Sequence, residues 1–243
     1  MAVIEVKNFA KSFDKKVVHR NVNFQVKKGE CMGLIGGSGS GKSVILRSLI
    51  GLEKPNSGMV NVLGDDITQF TEKELVPVRK RVAYVFQGGA LFDSMSVADN
   101  LSYPLIEHTT LSPSEIKSIV EETLQSFGLS GSEKIMPANL SGGMQKRVGL
   151  ARAIILEPEV ILYDEPTAGL DPFNTKKIQE KILELKEKGV TSILVTHDMP
   201  SAFAVCDKMA LLLNGVIAAE GTRSELEFKK GSVMEKFING DEF

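Results

Sequence analysis

A short apolar run, Cys31–Ile35, empties without a break into Gly36-Gly37-Ser38-Gly39-Ser40-Gly41-Lys42-Ser43. Val44–Gly51 follows with apolar positions at helical spacing and a terminal glycine. The segment reads as buried strand, glycine loop and helix. Its pattern, Gly-x-x-x-x-Gly-Lys-Ser, is the P-loop. Glycines let the backbone curl so that successive N–H groups point inward at an anion. The helix starting near Gly41 adds the positive end of its dipole. Lys42 brings a full charge to β- and γ-phosphates, and Ser43 brings a hydroxyl to Mg²⁺. Gly36, Gly37, Ser38, Gly39, Ser40, Gly41, Lys42, Ser43 and Val44 are therefore the expected cradle for ATP with Mg²⁺.

Such a site needs a second acidic element for the metal. Val160–Tyr163 is an apolar strand that runs into Asp164 and Glu165. Asp164, at the strand end, can hold the Mg²⁺ shell opposite Ser43. Glu165 falls one residue further out, where a carboxylate polarises the attacking water as a general base.

The rest of the chain supports an α/β core with a mostly parallel sheet. Strands are expected at Ile4–Phe9, Val17–Val26, Val60–Leu63, Val82–Phe86, Ile193–Thr196 and Met209–Leu213. Helices are expected from Ser112 to about Phe127, from Gly142 to about Leu156, and over Thr175–Lys188. The first of these opens on Ser112-Pro113-Ser114-Glu115, a capping box with proline in the first turn. The helix-rich stretch 88–157 reads as an insertion into a core made of 1–87 and 158–243, all one domain. The last segment, Gly231–Phe243, reads as a frayed tail or a docking segment. Lys and Arg number 29 against 31 Asp and Glu, a net charge of −2 that argues against a dedicated nucleic-acid binder. Cys31 and Cys206 are far apart in sequence with no metal spacing, so two reduced thiols are expected. Met1–Lys7 has no basic region leading into an apolar stretch, so no signal peptide is expected. The apolar runs are too short for a membrane span. A cytoplasmic protein is expected, any membrane role coming through a partner.

At Leu140-Ser141-Gly142-Gly143-Met144, with Lys146-Arg147 and Leu150-Ala151-Arg152-Ala153 behind it, the chain resembles the signature of the ATP-binding cassette (ABC) ATPases. The order of landmarks matches as well: the P-loop, Gln87 in Tyr84-Val85-Phe86-Gln87, the signature, Asp164-Glu165, a D-loop-like Ala168-Gly169-Leu170-Asp171, and Val195-Thr196-His197-Asp198. The resemblance implies a P-loop NTPase of ABC type: a RecA-like core, N-terminal antiparallel strands and a helical subdomain. It implies that Phe13 stacks on adenine, that Gln87 contacts Mg²⁺ and water, and that His197 bonds the γ-phosphate and positions Glu165. His19 and His108 sit in no comparable context. Ser141, Gly142 and Gly143 open a helix and present N–H groups to an anion. A second phosphate site on one chain makes sense if two copies pack head to tail, each completing the other's site, with Asp171 crossing the interface.

Phe86 to Val97, then Asn100-Leu101, Tyr103-Pro104-Leu105 and the methionine that ends the signature, are similar to ATPases of the Mla/Mce class, which drive phospholipid or other lipid transport. Phe237-Ile238-Asn239-Gly240 resembles the end of that class. The partners implied are a second copy, an integral permease of the MlaE type, a small regulatory subunit and an Mce-domain protein. The chain would be peripheral on the cytoplasmic face of the inner membrane. Two alternatives stay open: an ABC ATPase for amino acids, lipoproteins or peptides, and a soluble ABC ATPase such as one of iron–sulfur assembly.

Overall fold

The computed structural model describes residues 2–227 and 231–239. Two long strands open the chain, β1 (Ala2–Phe13) and β2 (Lys16–Lys27), paired antiparallel. The first runs well past the expected Ile4–Phe9. Ala10, Lys11 and Ser12 do not alternate cleanly, because register shifts along this hairpin break the period of two expected of a strand. Next come β3 (Cys31–Ile35), buried along its whole length, and α1 (Lys42–Ser48). The helix begins at Lys42, with Gly41 as its N-cap, in line with the expected start near Gly41.

Then follow β4 (Ser57–Val62), β5 (Asp65–Asp66), α2 (Glu72–Arg81) and β6 (Val82–Val85). The helix α2 had no counterpart in the sequence reading. Pro77 lies inside it, and Thr71 and Glu74 close a capping box at its start. Three helices come between β6 and the next strand: α3 (Val97–His108), α4 (Pro113–Ser126) and, after a short 3₁₀ turn at Pro137–Asn139, α5 (Gly142–Ile154). The capping box expected at Ser112 and Glu115 is present. Gly128, at φ +63°, ends that segment as expected.

The C-terminal part contains β7 (Val160–Asp164), α6 (Pro172–Glu187), β8 (Thr191–Thr196), α7 (Met199–Val205), β9 (Lys208–Leu213), β10 (Val216–Thr222), α8 (Arg223–Glu227) and α9 (Val233–Asn239). Within the expected tail, Val233–Asn239 is helical, whereas Gly240-Asp241-Glu242-Phe243 lies outside the described residues.

The strands form one sheet in the order β5-β4-β1-β2-β10-β9-β3-β8-β7-β6. The stretch β9-β3-β8-β7-β6 is parallel and the stretch β5-β4-β1-β2 is antiparallel; β10 joins them, antiparallel to β9 and parallel to β2. One face packs Ile45, Leu46 and Leu49 of α1 against Val6, Met32, Leu34 and Leu162. The other packs Leu101, Ile116, Leu124 and Val148 of the inserted helices in one cluster with Ile161, Tyr163 and Leu194. The parallel stretch matters for function, because β3, β7 and β8 all end on the same side and deliver the loops after Ile35, Asp164 and Thr196 to one place. The two cysteines, distant in sequence, are neighbours here: their sulfurs lie 3.9 Å apart as free thiols.

Candidate functional site

The loop after β3 curls back over the end of its own strand. Gly36 has φ +156°, and a Cβ there would stand 2.6 Å from the Leu212 carbonyl. Gly41 has φ +97°, and a Cβ there would meet the His19 ring and Val18, both at 2.6 Å. Neither position tolerates a side chain. The loop closes on its own lysine: Lys42 Nζ donates to the Gly36 carbonyl at 2.8 Å and the Gly37 carbonyl at 3.0 Å. Burial lowers the Lys42 pKa, and the carboxylates of Glu165 and Asp164 oppose that shift. Ser40 Oγ is buried without a hydrogen-bond partner, and Ser40 does not line the cavity around Lys42.

Ser43, in the first turn of α1, donates to Asp164 Oδ1 at 2.8 Å. Tyr84 of β6 donates to the other oxygen, Oδ2, at 2.7 Å, and its own pKa is raised by burial and by that carboxylate. The serine hydroxyl and the aspartate form a pair of hard oxygen donors suited to Mg²⁺ with phosphate oxygens. Among the described residues no group of three or more His, Cys, Asp or Glu forms a metal cage. A metal held largely by phosphate and water needs none.

Glu165 sits at φ +51°, a left-handed backbone that a non-glycine residue adopts only at a cost. Its N–H donates to the Val195 carbonyl at 2.9 Å, which ties the strained residue to β8. Its side chain faces the loop: Oε1 lies 2.9 Å from His197 Nδ1, and Thr196 Oγ1 reaches Oε2 at 3.5 Å. The carboxylate is mostly covered, whereas the imidazole is 65% exposed, so the histidine is the partner free to turn toward an incoming group. Ser38, Gly39, Gly41, Lys42, Ser43, Val44, Gln87, Glu165 and His197 line one cavity of about 630 Å³, with Val18 and Val195.

The remaining expected site residues lie elsewhere. Phe13 is 41% exposed at the tip of the first hairpin, with Lys11 Nζ 4.8 Å from its ring centre, and it does not line the cavity. Ser141 caps α5 through a 3.3 Å bond from the Met144 N–H. Asp171 caps α6, accepting from the Asn174 N–H at 3.0 Å. Asn174 in turn packs against Gly143, where a Cβ would meet it at 2.6 Å. Ser141–Gly143 and Asp171 thus form a second group, outside the cavity around Lys42.

One residue that the sequence reading passed over stands at the loop. His19, on β2, is wholly buried behind Gly41, edge-on to Phe9 at 5.3 Å. Neither of its ring nitrogens has a hydrogen-bond partner. Burial pushes its pKa down to about 4, an effect that the Gly41 backbone offsets only in part. The sequence carries little signal for it: a lone histidine between Val18 and Arg20, out of phase with the inward alternation of Val22, Phe24 and Val26.

A protein-family model described as ABC transporter matches residues 19–168. This chain belongs to the ABC transporter family. Among its relatives, the probable ribonucleotide transport ATP-binding protein mkl of Mycobacterium leprae is 43% identical over 98% of this chain and 69% of its own length. The intermembrane phospholipid transport system ATP-binding protein MlaF of Haemophilus influenzae is 38% identical over 98% of this chain and 91% of its own length. The Escherichia coli MlaF is 36% identical over 98% and 89%. In structure, the ATP-binding cassette MJ0796, a post-hydrolysis dimer bound to ADP and Pi, superposes with a TM-score of 0.84 at 31% identity, over 90% of this chain and 98% of that one. The expected ABC fold and the resemblance to Mla-type ATPases are borne out. The chain is an ABC ATPase, an ATP-binding subunit of that family. Among the described residues no helix is long and apolar enough to cross a membrane.

Proposed function

We propose that this chain hydrolyses ATP as a head-to-tail dimer of itself and thereby drives a membrane permease that moves phospholipid. The observation that carries the chemistry is the convergence of Lys42, Ser43 and the Glu165–His197 pair on one cavity, with Asp164 bonded directly to Ser43. Lys42 and the loop N–H groups bind and orient the β- and γ-phosphates. Mg²⁺, held by Ser43 and Asp164 with Gln87 nearby, would supply neutralising charge. Glu165 accepts a proton from the water it aligns, and His197 holds that carboxylate in position. Phe13 offers its ring face to adenine across the open side of the loop.

Ser141, Gly142 and Gly143 supply N–H groups to the nucleotide of the second copy, and Asp171 stands beside them. The dimeric MJ0796 cassette supports this pairing. The two MlaF relatives, matched over about nine tenths of their length, support the phospholipid cargo and a peripheral place on the cytoplasmic face of the inner membrane. An MlaE-type permease, an Mce-domain protein and a small regulatory subunit are the partners that follow from that reading. The test is purification from native membranes in mild detergent, with all co-purifying proteins and lipids identified by mass spectrometry. A permease with bound phospholipid supports the proposal. A permease free of lipid that binds nucleotides, the cargo named for the mkl relatives, overturns the cargo assignment. Recovery of soluble partners alone overturns the transport reading.

A further inference from the structure

Burying an imidazole with no partner is costly, and an apolar side chain of similar size would serve a core better. His19 is nonetheless 0% exposed, and both ring nitrogens lack partners. What it touches is specific. A Cβ on Gly41 would lie 2.6 Å from its Nε2 and 2.7 Å from its Cε1, so the ring is pressed against the turn that starts α1. That turn is the junction between the phosphate loop and Lys42. The Gly41 carbonyl accepts from Val44 N–H at 2.9 Å and Ile45 N–H at 3.3 Å, so it anchors the first turn of the helix. His19 is itself clamped. The residue beside it, Arg20, donates its N–H to the Gly215 carbonyl at 2.8 Å, and Phe9 closes the far side. Its other neighbour, Val18, lines the cavity. The ring therefore joins the hairpin that carries Phe13 to the loop that carries Lys42.

We propose that His19 is a positioning residue for nucleotide binding. It braces Gly41 from behind, and its Nε2–H is taken up by the loop backbone when the loop closes around a polyphosphate. In the resting loop, Lys42 is bonded to the Gly36 and Gly37 carbonyls, so closing on phosphate rearranges backbone groups a few residues from the ring. At rest the ring meets the Gly41 backbone without a well-formed bond; a bond completed in the bound state favours that state. This inference rests on the loop being the nucleotide site.

The experiment compares wild type, His19→Leu and His19→Gln in ATP titrations and steady-state hydrolysis. Leucine fills the space without a donor; glutamine keeps an N–H donor at the reach of Nε2. The expected result for His19→Leu is an unchanged or higher melting temperature, ATP Kd and KM raised about three- to tenfold, the worth of one ordinary hydrogen bond, and kcat nearly unchanged. His19→Gln should restore Kd to near the wild-type value. A leucine variant that binds ATP as wild type does overturns the proposal, as does equal impairment of both variants with lowered melting temperatures. Ring-¹⁵N NMR of wild type with and without a non-hydrolysable ATP analogue gives a second readout independent of any variant. The Nε2 resonance should move to a hydrogen-bonded shift on binding; an unmoved resonance overturns the proposal. A wild-type chain that binds no ATP at all indicts the site reading instead.

Discussion

The Lys42 region and the Ser141 region both offer N–H groups at the start of a helix, but one is finished and the other is not. Around Lys42 the chain supplies partners for itself: the lysine holds two loop carbonyls, Ser43 holds Asp164, Tyr84 holds the second oxygen of Asp164, and Glu165 holds His197. Around Ser141 the chain closes on itself less completely, with Asn174 packed against Gly143 on one side. Ser141 caps its own helix, and a Cβ on Gly142 would meet nothing within 4 Å. The first region is a site a single chain can preorganise. The second is the surface that, on the proposed function, a second copy of the chain completes.

The sharpest way to break this comparison is at Glu165. Glu165→Gln should bind ATP, lower hydrolysis by about 10²–10⁴-fold and accumulate a dimer on a sizing column. Hydrolysis at the wild-type rate would remove Glu165 as the base. Ser141→Arg separates the two regions. It should abolish turnover and ATP-dependent dimerisation while monomer ATP affinity stays within about threefold, well under a 1.4 kcal/mol change. If affinity in the monomer falls tenfold or more, the regions are not independent.

A pH series addresses the finished region. His19 has a folded pKa of about 4 against 6.5 unfolded, so the unfolded chain takes the proton first as pH falls. Its contribution is complete above pH 6.5 and is lost as pH drops toward 4, about 3 kcal/mol in all. Urea melts at pH 7 and 4.5 should show that loss in wild type and a smaller one in His19→Leu; parallel losses would refute it. The smallest effect belongs to Asp171. Replacing it with alanine removes a helix cap and should cost about 1 kcal/mol, with Asp171→Asn near neutral in the same melts.

The legibility of this fold varied with how local its causes were. The phosphate loop, the Ser112 capping box and the runs of β3, β7 and β8 were plain in the sequence, because glycine spacing, cap chemistry and continuous apolar strands act within a few residues. The helix α2 was not foreseen, although Thr71 and Glu74 carry the same capping chemistry as Ser112 and Glu115; Pro77 lies in its interior. The join between the two halves of the sheet could not be read at all. It depends on β10 meeting β2 through Val216 and Asn21, a pairing no local pattern encodes. Within the site, the acidic and glycine positions were foreseen. His19 was not, because its meaning comes from standing behind Gly41, a neighbour in space but not in sequence.

The bonds from Lys42 to the Gly36 and Gly37 carbonyls carry a consequence for selectivity. The cation is already solvated by the protein, so admitting an anion is an exchange in which a newcomer must outcompete two carbonyl dipoles. A single small anion offers one contact and wins that contest poorly. A polyphosphate that also engages Ser43 and the loop N–H groups brings several contacts at once, and their effective concentration favours the swap. Millimolar inorganic phosphate should therefore displace ATP weakly in equilibrium dialysis. The lysine's resting bonds then act as a threshold that filters the cell's abundant simple anions from the chain-like ones.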